Sequence, residues 1–176
     1  MTQRQASSGG VSARSLPEGL DERRLAAWRA LLTAHATVIE RIERDLAAAG
    51  QLPLGSYDVL LALIEAPGRR LRMSELAAAV VLNRSTLTRR VDRLEQEGLL
   101  VRERVGGDRR GAYAALTEAG HSALRAAWPI YARGIADYFA RHLTDTEAET
   151  ITAALTRVFD GGDGGSPSPG REGAVG

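Results

Sequence analysis

The sequence predicts a mainly α-helical protein with a small β-hairpin near its middle and long helices at both ends. Three observations lead to this fold class. Apolar residues recur every three or four positions in several segments, a short alternating pattern surrounds a Gly-rich turn near residue 107, and two heptad-like patterns lie toward the chain ends. We therefore expect a compact middle domain that is flanked by N- and C-terminal helices.

Positive charge is concentrated in the middle of the chain. The 176 residues are enough for one domain with a hydrophobic core, and their net charge is only +1. Residues 69–110, however, contain eleven arginines and six acidic residues, which gives this segment a net charge of +5. A basic segment within a slightly acidic chain is typical of a site for a polyanion such as a nucleic acid.

Several classes of protein are disfavoured by what the sequence lacks. It contains no cysteine, which excludes disulfides, thiolate metal sites and thiol redox sensing. No apolar run approaches the roughly 18 residues of a membrane span, and the polar N-terminus lacks the apolar core of a signal peptide. We expect a cytoplasmic protein without membrane contact. Residues 1–18 and 160–176 contain few large apolar side chains and are predicted to be disordered tails.

A long first helix is predicted from Asp21 to Ala49. Its apolar positions recur by three and four, as in a heptad seam, and His35 occupies the remaining position of that seam. The seam consists of Leu25, Trp28, Leu32, Ile39, Ile42, Leu46 and Ala49. Such a seam needs a partner helix, either in the same chain or in a second copy.

Two shorter helices and a short extended segment are predicted next. Ser56 can cap a helix that ends at the Pro67-Gly68 break, because its hydroxyl can accept a free backbone N–H of the first turn. The short alternating segment 70–72 predicts a single-residue sheet contact. Ser74 can cap a second helix that runs to Val81.

The helix predicted from Asn83 to Gly98 has one apolar and one polar face. Its inward stripe consists of Leu87, Val91 and Leu94. The opposite side carries Ser85, Thr86, Arg89, Asp92 and Arg93. Hydroxyl and guanidinium groups on one side suit a DNA major groove, where they can bind base edges and phosphates. A solvated surface helix with an Arg89–Asp92 ion pair explains this helix alone equally well.

A β-hairpin follows this helix. Residues 99–105 alternate as a strand, residues 106–111 form a tight turn, and residues 113–116 form the returning strand. Arginines at the hairpin tip can enter a minor groove, whose narrow negative floor favours guanidinium groups. The two helices and the hairpin together predict a winged helix-turn-helix.

The C-terminal part of the chain is predicted to be helical. A second seam consists of Leu124, Trp128, Tyr131, Ile135, Tyr138 and His142, and Pro129 should bend this helix because it removes a backbone donor. Thr144 and Glu147 have the spacing of a capping box, which would open a last helix. That helix is expected to turn Ile151, Leu155 and Val158 inward.

These residues resemble the MarR family of winged-helix regulators. The resemblance is carried by residues 74–77 (SELA), by residues 85–89 (STLTR) and by the wing signature, in which Asp108-x-Arg110 is followed after five residues by Leu116-Thr117. Order and spacing agree over about residues 20–160. The resemblance implies one domain over residues 19–159, with the winged helix-turn-helix at about 54–117 and dimerisation helices at about 20–50 and 117–159.

The resemblance also implies a function and a set of binding residues. A homodimeric repressor would bind a pseudo-palindromic operator in double-stranded DNA, with half-sites roughly 34–36 Å apart. The DNA-binding residues would be Arg84, Ser85, Thr86, Thr88, Arg89, Arg90, Arg93, Asp108, Arg109 and Arg110. A winged helix used for protein interaction, without specific DNA binding, is the alternative, because this fold alone does not fix function.

Many members of the family release DNA when a small aromatic or phenolic ligand binds. Trp28, His35 and Tyr57 are the candidate ligand-binding residues implied here, although each also suits an ordinary place in a helix interface or core. The histidines lack the spacing of a metal site, and the sequence contains no phosphate loop or nucleophile motif. We therefore predict no metal, no cofactor and no enzymatic activity.

Overall fold

The computed structural model describes residues 17–80, 84–104 and 112–160, which form six α-helices and three short strands. The elements are α1 (Glu22–Ala48), α2 (Leu54–Glu65), β1 (Arg70–Arg72), α3 (Met73–Ala79), α4 (Arg84–Gln96), β2 (Leu100–Arg104), β3 (Ala112–Leu116), α5 (Glu118–Tyr138) and α6 (Asp145–Asp160). The predicted fold class, mainly helical with a small β-wing, is confirmed.

The chain divides into two units, residues 1–37 and 38–176, and the boundary lies within α1. In the first unit the described part of α1 is mostly exposed, and its exposed side chains include Trp28 and Leu32. In the second unit the same helix buries Ile42 and Leu46. Only the C-terminal part of the predicted seam therefore contributes to a hydrophobic core within the protomer.

The core of the second unit is formed by aliphatic side chains from helices α1, α2, α3, α4 and α5 together with the sheet. Its fully buried members include Leu46, Leu60, Leu63, Leu76, Leu87, Leu94, Leu100 and Leu124. Burial of each leucine contributes about 1.5–3 kcal/mol through the hydrophobic effect, before the entropy cost of ordering it. The core fixes how α4 is rotated, and therefore which of its residues face solvent.

The sheet is antiparallel, with the strand order β1-β3-β2. Leu71 of β1 and Arg102 of β2 both lie opposite Ala114 of β3. The segment 70–72 is thus a strand of three paired residues and extends the single contact that the sequence predicted. Because β3 is the central strand, the β2–β3 hairpin, which we call the wing, is anchored to the rest of the sheet through β1.

Two glycines allow α5 to pack closely against neighbouring residues. An ideal Cβ on Gly120 would lie 2.0 Å from the backbone oxygen of Leu99, and one on Gly134 would lie 2.6 Å from Cγ1 of Ile42. Both glycines therefore allow contacts that a larger residue would prevent. The first turn of α5 is capped by Thr117, whose hydroxyl accepts the Gly120 N–H at 3.0 Å.

The start of α2 differs from the prediction. The helix begins at Leu54, and Ser56 lies inside it as a buried residue and not as its cap. The carboxylate of Glu43, on α1, accepts the Leu54 N–H at 3.0 Å. A side chain from another helix thus satisfies a free N–H of the first turn, which local sequence cannot reveal.

The bounds of α3 also differ from the prediction. The helix begins at Met73, before the predicted cap Ser74, and it ends at Ala79 rather than Val81. Glu75 accepts the backbone N–H of Arg72 at 2.8 Å, so the helix starts directly where β1 ends. The pairing of β1 with β3 decides this boundary.

The C-terminal helices confirm one prediction and correct two. The capping box is confirmed, since Glu147 accepts the Thr144 N–H at 2.9 Å and Thr144 accepts the Glu147 N–H at 3.3 Å. The predicted seam is not one helix to its end, because α5 stops at Tyr138 and His142 lies in a short 3-10 turn. Val158 was expected to face inward and is instead 70% exposed in the protomer.

Candidate nucleic-acid interface

α4 is held in place by its apolar face. Leu87, Val91 and Leu94 are at most 1% exposed, as the sequence predicted. Gly98 follows the helix with a φ of +73°, a conformation that favours glycine, and the chain turns there toward β2. Since three buried residues fix the rotation of α4, its opposite side faces solvent.

The outer face of α4 is polar and basic. Its described members are the exposed Ser85, Thr88, Arg89 and Arg93 and the half-buried Thr86. Arg84 starts the helix, but its side chain and the predicted cap Asn83 lie outside the described residues. The hydroxyls near the N-terminus can exchange hydrogen bonds with base edges, and the guanidinium groups can bind bases or phosphates.

Arg90 does not lie on this outer face. Its side chain is half-buried against α2, where Nη1 donates to the Ser56 hydroxyl at 3.4 Å. An ideal Cβ on Gly55 would lie 2.7 Å from the guanidinium carbon, so the group rests directly on the α2 backbone. The Arg90 Nε is buried without a hydrogen-bond partner in the described structure. Arg90 was predicted as a DNA-binding residue; its guanidinium is turned toward α2, and its contact with DNA stays a prediction.

A small charged cluster surrounds the Arg90 guanidinium. Asp58 is exposed overall, but desolvation by nearby atoms raises the pKa of its carboxyl above the ordinary value. The positive charge of Arg90 opposes this rise, and the negative charge of Glu43 reinforces it. Glu43 lies on α1, Asp58 on α2 and Arg90 on α4, so three helices meet at this cluster. Its role is structural linkage between α4 and the helices behind it.

Arg102 connects the wing to α4. Its Nη2 donates to Asp92 at 2.5 Å and its Nη1 to Glu95 at 2.7 Å, while its backbone N–H donates to Glu95 at 3.0 Å. The Arg102 side chain is 27% exposed. Asp92 thus pairs with the wing and does not form the pair with Arg89 that the sequence suggested.

The outer surface of the sheet is also basic. The guanidinium carbons of Arg70 and Arg72 lie 5.5 and 5.2 Å from the ring centroid of Tyr113. Arg72 also donates to the Tyr113 hydroxyl at 2.9 Å, and Arg70 lies 3.5 Å from a Glu103 carboxylate oxygen. This surface adds positive charge near the wing, although its arginines are partly engaged by neighbours.

The predicted wing-tip residues lie outside the described part of the chain. These are Asp108, Arg109 and Arg110. The described structure ends at Arg104 of β2 and resumes at Ala112 of β3, and the paired strands between which the tip lies are in place. The predicted role of the tip in a minor groove stays a prediction.

The candidate ligand-binding residues have different surroundings. Trp28 is 55% exposed and His35 is exposed, both in the first unit. Tyr57 is buried in the second unit, where its ring meets the edge of Tyr131 at a centroid distance of 5.1 Å. Burial raises the pKa of the Tyr57 hydroxyl to about 12, so it stays protonated at neutral pH. Tyr57 therefore acts as a core residue in this structure.

The described residues lack the features of a metal site and of a membrane-spanning helix. Nowhere in them do three or more His, Asp or Glu side chains gather in a way that could hold a metal ion. None of the described helices combines the length and apolar character that crossing a bilayer requires.

The sequence missed the residues that connect elements. From the sequence alone, Glu43 is predicted to lie on the solvated side of a helix. Ser56 is predicted to be a helix cap, and Arg102 is only one of the basic residues of a strand. The one usable signal is the spacing of Asp92 and Glu95, which lie three positions apart on one helical face and could bind the two ends of one guanidinium. The sequence offers no means of choosing the partner.

The chain is similar to bacterial transcriptional regulators. A family model described as "MarR family" matches residues 51–111. The uncharacterized HTH-type regulator YkoM of Bacillus subtilis is 30% identical over 130 residues, which span 74% of this chain and 82% of YkoM. A putative regulatory protein for the hcr operon of Thauera aromatica is 34% identical over 105 residues. That match spans 60% of this chain and 61% of the Thauera protein, less than two thirds of its length.

A solved structure provides a comparison that includes nucleic acid. Sco3205, a MarR family transcriptional regulator from Streptomyces coelicolor, has been crystallised in complex with DNA. It is 30% identical to this chain with a TM-score of 0.75, and the match covers 85% of this chain and 94% of Sco3205. The similarity thus extends well beyond the helix-turn-helix to the flanking helices.

Proposed function

The chain belongs to the MarR family of transcriptional regulators, and from this membership we propose that it is a homodimeric repressor that responds to a small ligand. Family membership makes the chain a DNA-binding transcriptional regulator and not an enzyme. The proposal adds a pseudo-palindromic operator, a site of action in the cytoplasm and release of DNA on binding of an aromatic or phenolic effector.

The outer face of α4 is the observation that carries DNA binding by this chain. Its apolar face is fully buried, so the exposed Ser85, Thr88, Arg89 and Arg93 must point away from the core. An α-helix with such a face fits the width of a major groove, and the wing that follows would place Arg110 at the adjacent minor groove. Engagement of the wing tip is proposed from the sequence.

Exposed apolar side chains support the homodimer. In the first unit these are Trp28, Leu31 and Leu32, and in the second Trp128, Phe139, Val158 and Phe159. The exposure of large apolar side chains to water costs free energy. Within each unit, such side chains are typical of a surface that another protein covers. A second copy of the chain is the proposed occupant, with both terminal segments contributing to a two-fold interface.

Ligand response is proposed from family membership, with Trp28, His35 and Tyr57 as the candidate contacts. The exposure of Trp28 and His35 leaves them accessible to a ligand, whereas Tyr57 would have to be uncovered from the core. Release of bound DNA by simple phenols and benzoates, titrated one at a time, tests this part. Binding that no compound of these classes reverses would contradict it.

A band-shift experiment tests DNA binding. The probe is DNA from immediately upstream of the protein's own gene, with random duplex as competitor. If the dimer neutralises about 6–10 phosphates, affinity should fall by roughly 10³–10⁵ between 50 and 200 mM salt. Arg110→Ala should weaken binding without unfolding the protein, and unchanged affinity would show that the wing tip is not engaged.

The dimer requires a test at exposed positions. Ile39 and Ile135 belong to the predicted seams, but both pack against the protomer's own core, so a charge there would unfold the chain. Val158→Asp instead places a charge on a side chain that is 70% exposed in the protomer. We expect this variant to sediment as a folded monomer and to lose tight DNA binding. Thr152→Asp, at an exposed polar position of α6, should stay dimeric.

The alternative function is a winged helix that binds a protein partner. It is favoured if the intact dimer shows no preference for the upstream fragment at low salt and also none for any genomic fragment in a selection from sheared DNA. The arginines on the outer face of α4 argue against it, since that helix face carries the donors that DNA requires.

A further inference from the structure

We propose that Arg102 is a positioning residue for DNA binding, which locks the wing to α4 so that both elements meet the DNA as one rigid unit. The proposal rests on the DNA-binding function proposed above and deepens it. In its proposed role Arg102 does not itself contact the DNA. It acts through the two acidic residues of α4 that it binds.

The geometry of the tether is specific. Asp92 and Glu95 lie one turn apart on the same side of α4, and the two terminal nitrogens of the Arg102 guanidinium reach one carboxylate each, at 2.5 and 2.7 Å. The second oxygen of Glu95 accepts the Arg102 backbone N–H at 3.0 Å. Three charge-assisted hydrogen bonds therefore fix both the strand and its side chain relative to the helix.

At this level the wing is also held to the rest of the sheet, because Ala114 of β3 lies opposite both Arg102 of β2 and Leu71 of β1. Leu100 is fully buried and anchors the start of β2, and Thr117 donates to the Gly98 carbonyl at 2.8 Å near the end of the returning strand. Farther out, β2 pairs with β3, and Glu103 lies 3.5 Å from the exposed Arg70. Exposed ion pairs contribute little. The sheet contacts hold the wing to β1, whereas the half-buried Arg102 bonds β2 directly to α4.

Rigidity matters here because the wing and α4 would bind different grooves. A wing that moves freely relative to α4 would lose conformational entropy when both elements bind, and affinity would fall by that amount. Arg102 also neutralises Asp92 and Glu95 at the edge of a helix face proposed to approach phosphates. A test must therefore separate the tether from simple electrostatics.

Two variants separate these effects because they change the charge in opposite directions. Arg102→Met removes one positive charge, whereas the double variant Asp92→Ala/Glu95→Ala removes two negative charges. Both remove the two side-chain bonds of the tether, and the double variant also removes the acceptor of the Arg102 backbone N–H. If positioning dominates, both should weaken binding to the upstream fragment, by roughly tenfold. If only charge matters, the double variant should bind more tightly than the wild type, and the proposal is overturned.

Glu97→Ala is the matched control. Glu97 directly follows α4, and among the described residues its carboxylate binds the exposed Arg93 at 2.8 Å, so this variant removes a carboxylate without touching the tether. We expect its affinity to be unchanged or slightly higher.

The salt dependence of binding provides a second test of Arg102→Met. The slope of log affinity against log salt should stay at the wild-type value, because no phosphate contact is lost. A slope smaller by about 0.9 per protomer would instead show that Arg102 binds phosphate and would overturn its positioning role.

Hydrogen exchange on the DNA-free protein makes the test independent of the operator. Arg102→Met should accelerate amide exchange in residues 100–104 and 112–116 while α2 and α5 keep their wild-type protection. Unchanged exchange in the wing would overturn the tether. If wild-type protein fails to prefer the upstream fragment or any other DNA, the proposed function fails, and the exchange result alone then shows whether Arg102 holds the wing.

Discussion

Arg89 and Arg90 are neighbours on α4 that the structure places on different sides, and this difference can be measured. Arg89 is exposed on the outer face, whereas Arg90 lies on the α2 backbone and donates to Ser56 at 3.4 Å. Substituting either residue with glutamine removes one positive charge from the same helix turn. Arg89→Gln should weaken DNA binding with an altered salt dependence, and Arg90→Gln should not alter that dependence.

The magnitude follows from the number of phosphates involved. If each protomer's Arg89 neutralises one phosphate, a dimer loses two contacts, and the slope of log affinity against log salt should become shallower by about 1.8. Between 50 and 200 mM salt this difference corresponds to a roughly tenfold smaller loss of affinity than in the wild type. For Arg90→Gln the expected change in slope is zero, because its guanidinium does not reach the outer face.

Fluorescence anisotropy with a labelled duplex at four or five salt concentrations provides the slopes, and thermal unfolding checks that both variants are folded. Equal slope changes in the two variants would refute the orientation of Arg90 described here. If Arg89→Gln instead loses affinity only for particular operator bases, with an unchanged slope, then Arg89 reads a base and not a phosphate.

Three further predictions concern stability. Gly120→Ala should cost roughly 3 kcal/mol in chemical denaturation, because its Cβ would lie 2.0 Å from the fixed backbone oxygen of Leu99; a loss below 1 kcal/mol would show that this contact is loose. Gly55→Ala meets only the movable end of Arg90, 2.7 Å away, so it should cost less than about 1 kcal/mol by the same assay. Desolvation by nearby atoms raises the folded-state pKa of Asp58, so its contribution to stability is present below the unfolded pKa of 3.8 and is lost as pH rises through the folded value. Asp58→Asn should therefore gain stability relative to the wild type between pH 3 and pH 7, and the opposite trend in urea titrations would contradict the raised pKa of this carboxyl.

Most of the secondary structure could be predicted because it depends on local patterns. The apolar stripe of α4, the alternation of β2 and β3 and the capping box at Thr144 are each properties of a few consecutive residues, and the structure contains all three. The predicted starts of α2 and α3 were wrong by three and two residues, respectively. Their first turns are stabilised by Glu43 of another helix and by the end of β1, respectively.

On the candidate DNA-binding face, too, the local pattern could be predicted from the sequence, whereas a tertiary contact could not. The pattern of α4 identified Ser85, Thr86, Arg89, Asp92 and Arg93 as outward residues. Ser85, Arg89 and Arg93 are exposed, whereas Thr86 and Asp92 are half-buried. The direction of the Arg90 side chain could not be predicted, because a long side chain near the edge of a helix face can turn either way. Its direction was decided by Gly55, which leaves room for a guanidinium on the α2 backbone.

The sequence by itself determined the class of fold, the apolar and basic faces of α4, and the order and spacing that resemble the MarR family. These properties depend on periodicity and on residues close together in the chain. Only the tertiary structure decided which charged groups meet, above all that Arg102 binds Asp92 and Glu95 and that Glu43 caps α2. A charged side chain can pair with any opposite charge within reach, and the packing of the buried core sets which one that is.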